Sequence, residues 1–148
     1  MSLVALGECC ARRVLVRREH VVTINRGRKI LIVDDDRDNS EIIGMLLESE
    51  GYEVLTAGCG KRCFEILEKT TPDLIILDVM MDTLTEGFDV GYRLKHQPEY
   101  HSIPVVLVTA IGKHAGFPVD IKSIRVDDYL EKPVNPDVLL NCIRKLIG

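Results

Sequence analysis

No apolar run in this 148-residue chain approaches the roughly 20 residues that a membrane-spanning helix needs. Ahead of the first cysteines stands only "LVAL", too short for the apolar core of a secretory signal. No CxxC pair occurs, and the five cysteines (Cys9, Cys10, Cys59, Cys63, Cys142) are odd in number. A disulfide framework is therefore not expected. Cys59 and Cys63 stand four apart and can share a helix face, but no second ligand pair has zinc-binding spacing. Reduced, packed thiols are the expectation. The cytoplasm is then the simplest expected location, with no membrane partner expected. What is present argues against disorder: 46% of the residues are hydrophobic, enough for one domain with a real core.

Charge is unevenly spread. Residues 1–29 hold seven Lys/Arg against two Glu and carry net +5; the remainder holds twelve basic against twenty-one acidic residues and carries net −9. A basic arm thus precedes an acidic body. The arm mixes arginine with β-branched residues in "RRVLVRREHVVTI" but has no aromatics and no DNA-binding motif. That speaks against nucleic acid as a partner. It leaves a tail, or a strand added to a second copy of the chain in a homodimer.

From Ile30 onward, short apolar runs alternate with helical patterns. "KILIV", "YEVLTA", "DLIIL", "IPVVLVTA" and a short run in "DDYLEKP" read as strands. Between them, Ile42, Ile43, Leu46 and Leu47 recur at helical spacing, as do Cys63, Phe64, Ile66 and Leu67, and a helix is predicted around Phe88–Lys95. A last helix is predicted to start with Asn135 as cap and Pro136 at its first position. Its apolar face would hold Val138, Leu139, Cys142, Ile143, Leu146 and Ile147. Continuously apolar strands alternating with helices mean a parallel sheet covered on both faces, a doubly wound α/β domain.

The stretch "ILIVDDDRDN" (Ile30–Asn39) sets three aspartates in a row at the tip of a buried strand. Like charges repel more where water is partly excluded, so something must offset them. In doubly wound sheets the site lies at the carboxyl ends of the strands. Those ends carry Asp34, Asp35 and Asp36, then Asp78, then Thr109, then Lys132. Carboxylates, a hydroxyl and an ammonium in one crevice suit Mg2+ and phosphoryl chemistry.

"ILIVDDD", "PDLIILDVMM", "VVLVTA" and "DYLEKPV", in this order and at about this spacing, resemble the receiver domain of two-component response regulators. The resemblance covers roughly Arg28 to Gly148, leaving residues 1–28 as an extension. It implies a flavodoxin-like five-stranded parallel sheet in the order 2-1-3-4-5, with helices on both faces. It makes Asp78 the phosphoryl acceptor, with Thr109 and Lys132 completing the reactive set. Mg2+ would be placed by Asp34, Asp35 and Asp78 with the backbone carbonyl of Met80, Asp35 being the expected direct ligand. Thr109 and Tyr129 would form the switch, and Asp36 would sit beside the site without a named role. The implied partners are a sensor histidine kinase or histidine phosphotransfer protein and an output protein that the sequence does not name. Such a domain is a phosphoacceptor, not a classical enzyme.

The chain departs from the family in three places. The segment after Asp78, "VMMDTLTEGFDV", has Asp82 where proline is usual, adds Glu86, and reaches Gly87 one residue late. Gly112, Gly116 and Pro118 fall where the fourth helix of the family stands, so a short or displaced helix is predicted there. Met80 and Ile111 are apolar where related domains carry polar residues that help position water, which predicts slow loss of the phosphoryl group. Two rivals stay open at this stage. One is a receiver-like scaffold that is not phosphorylated. The other is a haloacid-dehalogenase-like phosphatase using Asp34, Asp36, Thr109, Lys132 and the pair Asp127/Asp128. Its acidic pair precedes the lysine instead of following it, and Asp38 stands where it needs threonine.

Overall fold

The computed structural model describes residues 4–9, 12–17, 20–24, 27–79, 86–109 and 124–147, with backbone only up to residue 24. Five strands, β4 (Lys29–Val33), β5 (Glu53–Ala57), β6 (Leu74–Asp78), β7 (Val105–Thr109) and β8 (Asp128–Glu131), form one parallel sheet in the order β5-β4-β6-β7-β8. This is the 2-1-3-4-5 order expected from the sequence. Alternate residues of each strand serve opposite faces. Leu31, Val33, Ile75, Leu77, Val105 and Leu107 pack on one side with α2 (Gly60–Lys69) and α3 (Glu86–His96). Ile30, Ile32, Leu74, Ile76, Val106 and Val108 pack on the other with α1 (Arg37–Ser49) and α4 (Pro136–Ile147). Both faces are covered, so the strands have no polar side to show, which is why they read as continuous apolar runs.

Helix starts follow local chemistry. Asn135 Oδ1 accepts from the backbone N–H of Asp137 at 2.9 Å and of Val138 at 3.4 Å, as its position before Pro136 predicts. Two inward assignments are corrected. Ile42 is 69% exposed, because Ile43 and Leu47 take the inner line of α1, and Val138 is 50% exposed, with Leu140 buried in its place. Each outer residue lies one position from the face that meets the sheet, about 100° around the helix. The span 112–122, where a short or displaced helix is predicted, lies outside the described residues.

The arm takes a form that the sequence reading did not anticipate. Instead of a tail or a single added strand, β1 (Val4–Cys9), β2 (Arg12–Arg17) and β3 (His20–Ile24) pair with one another as an antiparallel meander in a sheet of their own. Val14 registers with Leu6 and Thr23, and Val16 with Val4 and Val21. The β-branched residues interleaved with arginine supply the strand propensity. Among the described residues, no helix is long and apolar enough to cross a membrane.

Two thiols are locked into the layers. Burial, helped by the neighbouring Cys59, pushes the Cys63 thiol up to about 12 against an opposing pull from Arg93. Burial and a hydrogen bond to Asp128 Oδ2 at 3.2 Å push Cys142 up to about 12 as well. Both stay protonated at pH 8, so iodoacetamide is expected to label Cys59 well before Cys63 or Cys142, as read by peptide mass. A raised thiol pKa means the folded state holds its proton longer than the unfolded one. Stability from these groups is therefore complete below pH 9 and is lost as pH rises toward 12, which a urea titration across that window checks.

Candidate functional site

All five strands point the same way, so their carboxyl ends share one edge. Backbone bonds continue past the strand ends and hold that edge in register. Asp34 N–H donates to Ala57 O at 3.0 Å, Val79 N–H to Val108 O at 3.0 Å, and Lys132 N–H to Thr109 O at 2.7 Å. Asp34, Asp78 and Thr109 are buried, at 5%, 3% and 1% exposure. Carboxylate oxygens of Asp34, Asp35 and Asp78 all lie within 4.8 Å of one another. Lys132 Nζ donates to Asp78 Oδ2 at 2.9 Å. One ammonium beside three carboxylates leaves an excess of negative charge in partly dry surroundings. An all-oxygen donor set of this kind suits a hard divalent cation.

The acids themselves are fixed from α1. Asp36, for which the sequence reading named no role, is the N-cap of that helix: its Oδ1 accepts from the N–H of Asp38 at 3.0 Å and of Asn39 at 3.4 Å. Asp34 Oδ1 accepts from Asp36 N–H at 2.9 Å, and Asp34 Oδ2 from Asn39 Nδ2 at 2.5 Å. Asn39 escaped the sequence reading although it closes the same ten-residue stretch. The signal was its place in the first turn of the helix that the aspartates open.

Below Asp78 the packing is tight. A Cβ on Gly87 would come within 2.6 Å of Asp78 O and of Val79 Cα and O, so only glycine lets α3 start against this strand end. Glu86 Oε1 accepts from Gly60 N–H at 3.1 Å and ties the start of α3 to the start of α2. The added acid noted in the sequence is thus a link between two helices. Tyr129 is half-buried, registers with Leu107 and packs against the α2–α3 side of the core.

Met80, Asp82 and Ile111 lie outside the described residues. The acidic pair of the phosphatase reading lies elsewhere. Asp127 sits at the amino end of β8, where its Oδ2 accepts from Lys95 Nζ at 2.9 Å and Val105 N–H at 2.8 Å, and Asp128 accepts from Cys142. Neither joins the carboxyl edge, and Asp36 is occupied as a cap.

Fold and edge together define a doubly wound α/β domain with an acidic, cation-suited site at its topological switch point. The family model of the response regulator receiver domain matches residues 30–144, and the chain belongs to that family. The transcriptional regulatory protein CpxR of Escherichia coli is 37% identical over 80% of this chain and 49% of its own length. The chain spans about half the length of the curated relatives it matches first. Among solved structures, the signal receiver domain of a signal transduction histidine kinase from Syntrophus aciditrophicus has TM-score 0.70 at 31% identity, over 82% of this chain and 90% of that one. The response regulator TrrA from Thermotoga maritima, in complex with Mg(2+)-BeF, has TM-score 0.69 at 29% identity, over 80% of this chain and 98% of that one.

Proposed function

We propose that the chain is a phosphorylation-dependent signalling receiver in which Asp78 takes a phosphoryl group from a histidine kinase or a histidine phosphotransfer protein. The observation that carries this reading is the 2.9 Å pair of Lys132 and Asp78 inside a cluster of three carboxylates. Asp34, Asp35 and Asp78, with the carbonyl of Met80, would hold Mg2+. When bound, that ion would offset the repulsion among the acids and draw charge from the phosphoryl oxygens. Lys132 favours the ionised, nucleophilic form of Asp78. An Asp78 oxygen attacks phosphorus, the P–N bond of the donor phosphohistidine breaks, and its electron pair leaves on the imidazole nitrogen. The Thr109 hydroxyl, at the end of the adjacent strand, would donate to a phosphoryl oxygen of the product, and Tyr129 would change rotamer in response.

The receiver unit in this reading is 29–148, with 1–28 appended to it. It acts in the cytoplasm, catalyses only its own phosphorylation and dephosphorylation, and passes its state to an output protein or a second copy of itself. The test is incubation with Mg2+ and a small acyl-phosphate donor, followed by intact mass and peptide mapping. One phosphoryl group on the Asp78 peptide, blocked by EDTA, is expected. No uptake from any donor overturns the reading, and a group on Asp34 moves the nucleophile.

A further inference from the structure

We infer that Asn39 is a positioning residue that fixes the Asp34 carboxylate in the orientation a divalent cation requires. This rests on the reading of the carboxyl edge as a cation site. Asn39 is half-buried in the first turn of α1. Its side-chain amide donates to Asp34 Oδ2 at 2.5 Å while the Asp36 N–H donates to Oδ1 at 2.9 Å. One donor on each oxygen fixes both the tilt and the rotation of the carboxylate plane. Asp34 is only 5% exposed, so solvent offers few replacement donors.

The neutrality of the amide matters. A lysine or arginine here would hold Asp34 equally well but would set a positive charge against the incoming ion. An amide orients the anion and leaves its charge in place. The helix supplies the reach: Asp36 caps α1, which sets where the first turn begins and brings residue 39 back over residue 34. Outer partners that orient ligating carboxylates change metal affinity typically by 10–100-fold.

The test compares Asn39→Leu, which keeps approximate volume and loses the donor, with Asn39→Gln, which keeps the amide. Mg2+ binding to the unphosphorylated protein is measured by titration calorimetry, and the Asp36 amide resonance is followed without Mg2+. Thermal unfolding in EDTA confirms that each variant is folded, and Asn39→Ala replaces the leucine variant should it not fold. Binding weaker by about tenfold or more is expected in Asn39→Leu. A displaced Asp36 resonance should accompany it, and Asn39→Gln should recover most of the loss. Wild-type affinity in Asn39→Leu, or no recovery in Asn39→Gln, overturns the role of Asn39 and leaves the cation site standing. A wild-type protein that binds no Mg2+ overturns both.

Discussion

Phosphoryl uptake is expected to vanish in an Asp78→Asn protein and to slow by about 10²–10³-fold in Lys132→Met. The first change replaces the attacking carboxylate by an amide, which is not a nucleophile at neutral pH. The second keeps an unbranched side chain of nearly the same length and removes its charge. Lys132 lies 2.9 Å from Asp78 Oδ2, with Asp78 buried and the lysine partly open to solvent. Its ammonium can therefore follow charge that moves from the carboxylate toward the phosphoryl oxygens. Stabilisation that grows along the reaction lowers the barrier, whereas equal attraction to both states would not. The measurement is the rate of mass gain from an acyl-phosphate donor at saturating Mg2+. A Lys132→Met protein that reacts at the wild-type rate would reduce this lysine to a structural counter-charge.

The second large effect concerns stability, at the opposite edge of the sheet. Lys95→Met is expected to cost about 2–3 kcal/mol, read from urea unfolding. The Lys95 side chain is 9% exposed, and its ammonium donates to three oxygens: His101 O at 3.0 Å, Ile103 O at 3.1 Å and Asp127 Oδ2 at 2.9 Å. It fastens the end of α3 to the turn before β7 and to the entry of β8. Removing one partner of a buried pair costs about 3–5 kcal/mol, because the other is stranded. Asp127 is one-third exposed, so water recovers part of that and about 2–3 kcal/mol remains. Arg125, two residues before Asp127, has φ 61, a conformation that costs a side-chain-bearing residue roughly 1–2 kcal/mol. In a double variant with Asp127→Asn, the loss should be smaller than the two single losses combined.

Much of this was legible in the sequence because it depends on local pattern. Five apolar runs, four of them ending in Asp, Thr or Lys, declare a sheet buried on both faces and an edge where polar groups gather. The Asn135-Pro136 start of the last helix needs only two adjacent residues. Contacts between distant residues were not legible. Lys95 and Asp127 are 32 positions apart, and Glu86 and Gly60 are 26 apart; each is one charged residue among many until the fold joins it to its partner. Asn39 was missed, and capping by the acidic run was weighed only as a minor alternative to a place beside the site, for another reason. A third acid beside two presumed ligands looks like more of the same, and only the backbone turn reveals it as a cap. In the arm, a mixture of arginine and β-branched residues fits one strand as well as three, because pairing is decided by turns that the composition does not mark.

The wiring of the main sheet also sets an order of assembly. The meander of residues 4–24 joins neighbours in the chain, and hairpins of that kind close in about 1–10 μs. Lys132 and Asp78 are 54 residues apart, and among the described strands the one leading into Lys132 comes last in the chain. On a ribosome adding about 5–20 residues per second, Asp78 is made several seconds before its counter-ion. The acidic cluster can therefore gain its counter-charge only after the chain through β8 has left the exit tunnel. A chain stopped between residues 78 and 132 would carry the aspartate without the lysine, so the paired edge reports that synthesis has passed β8.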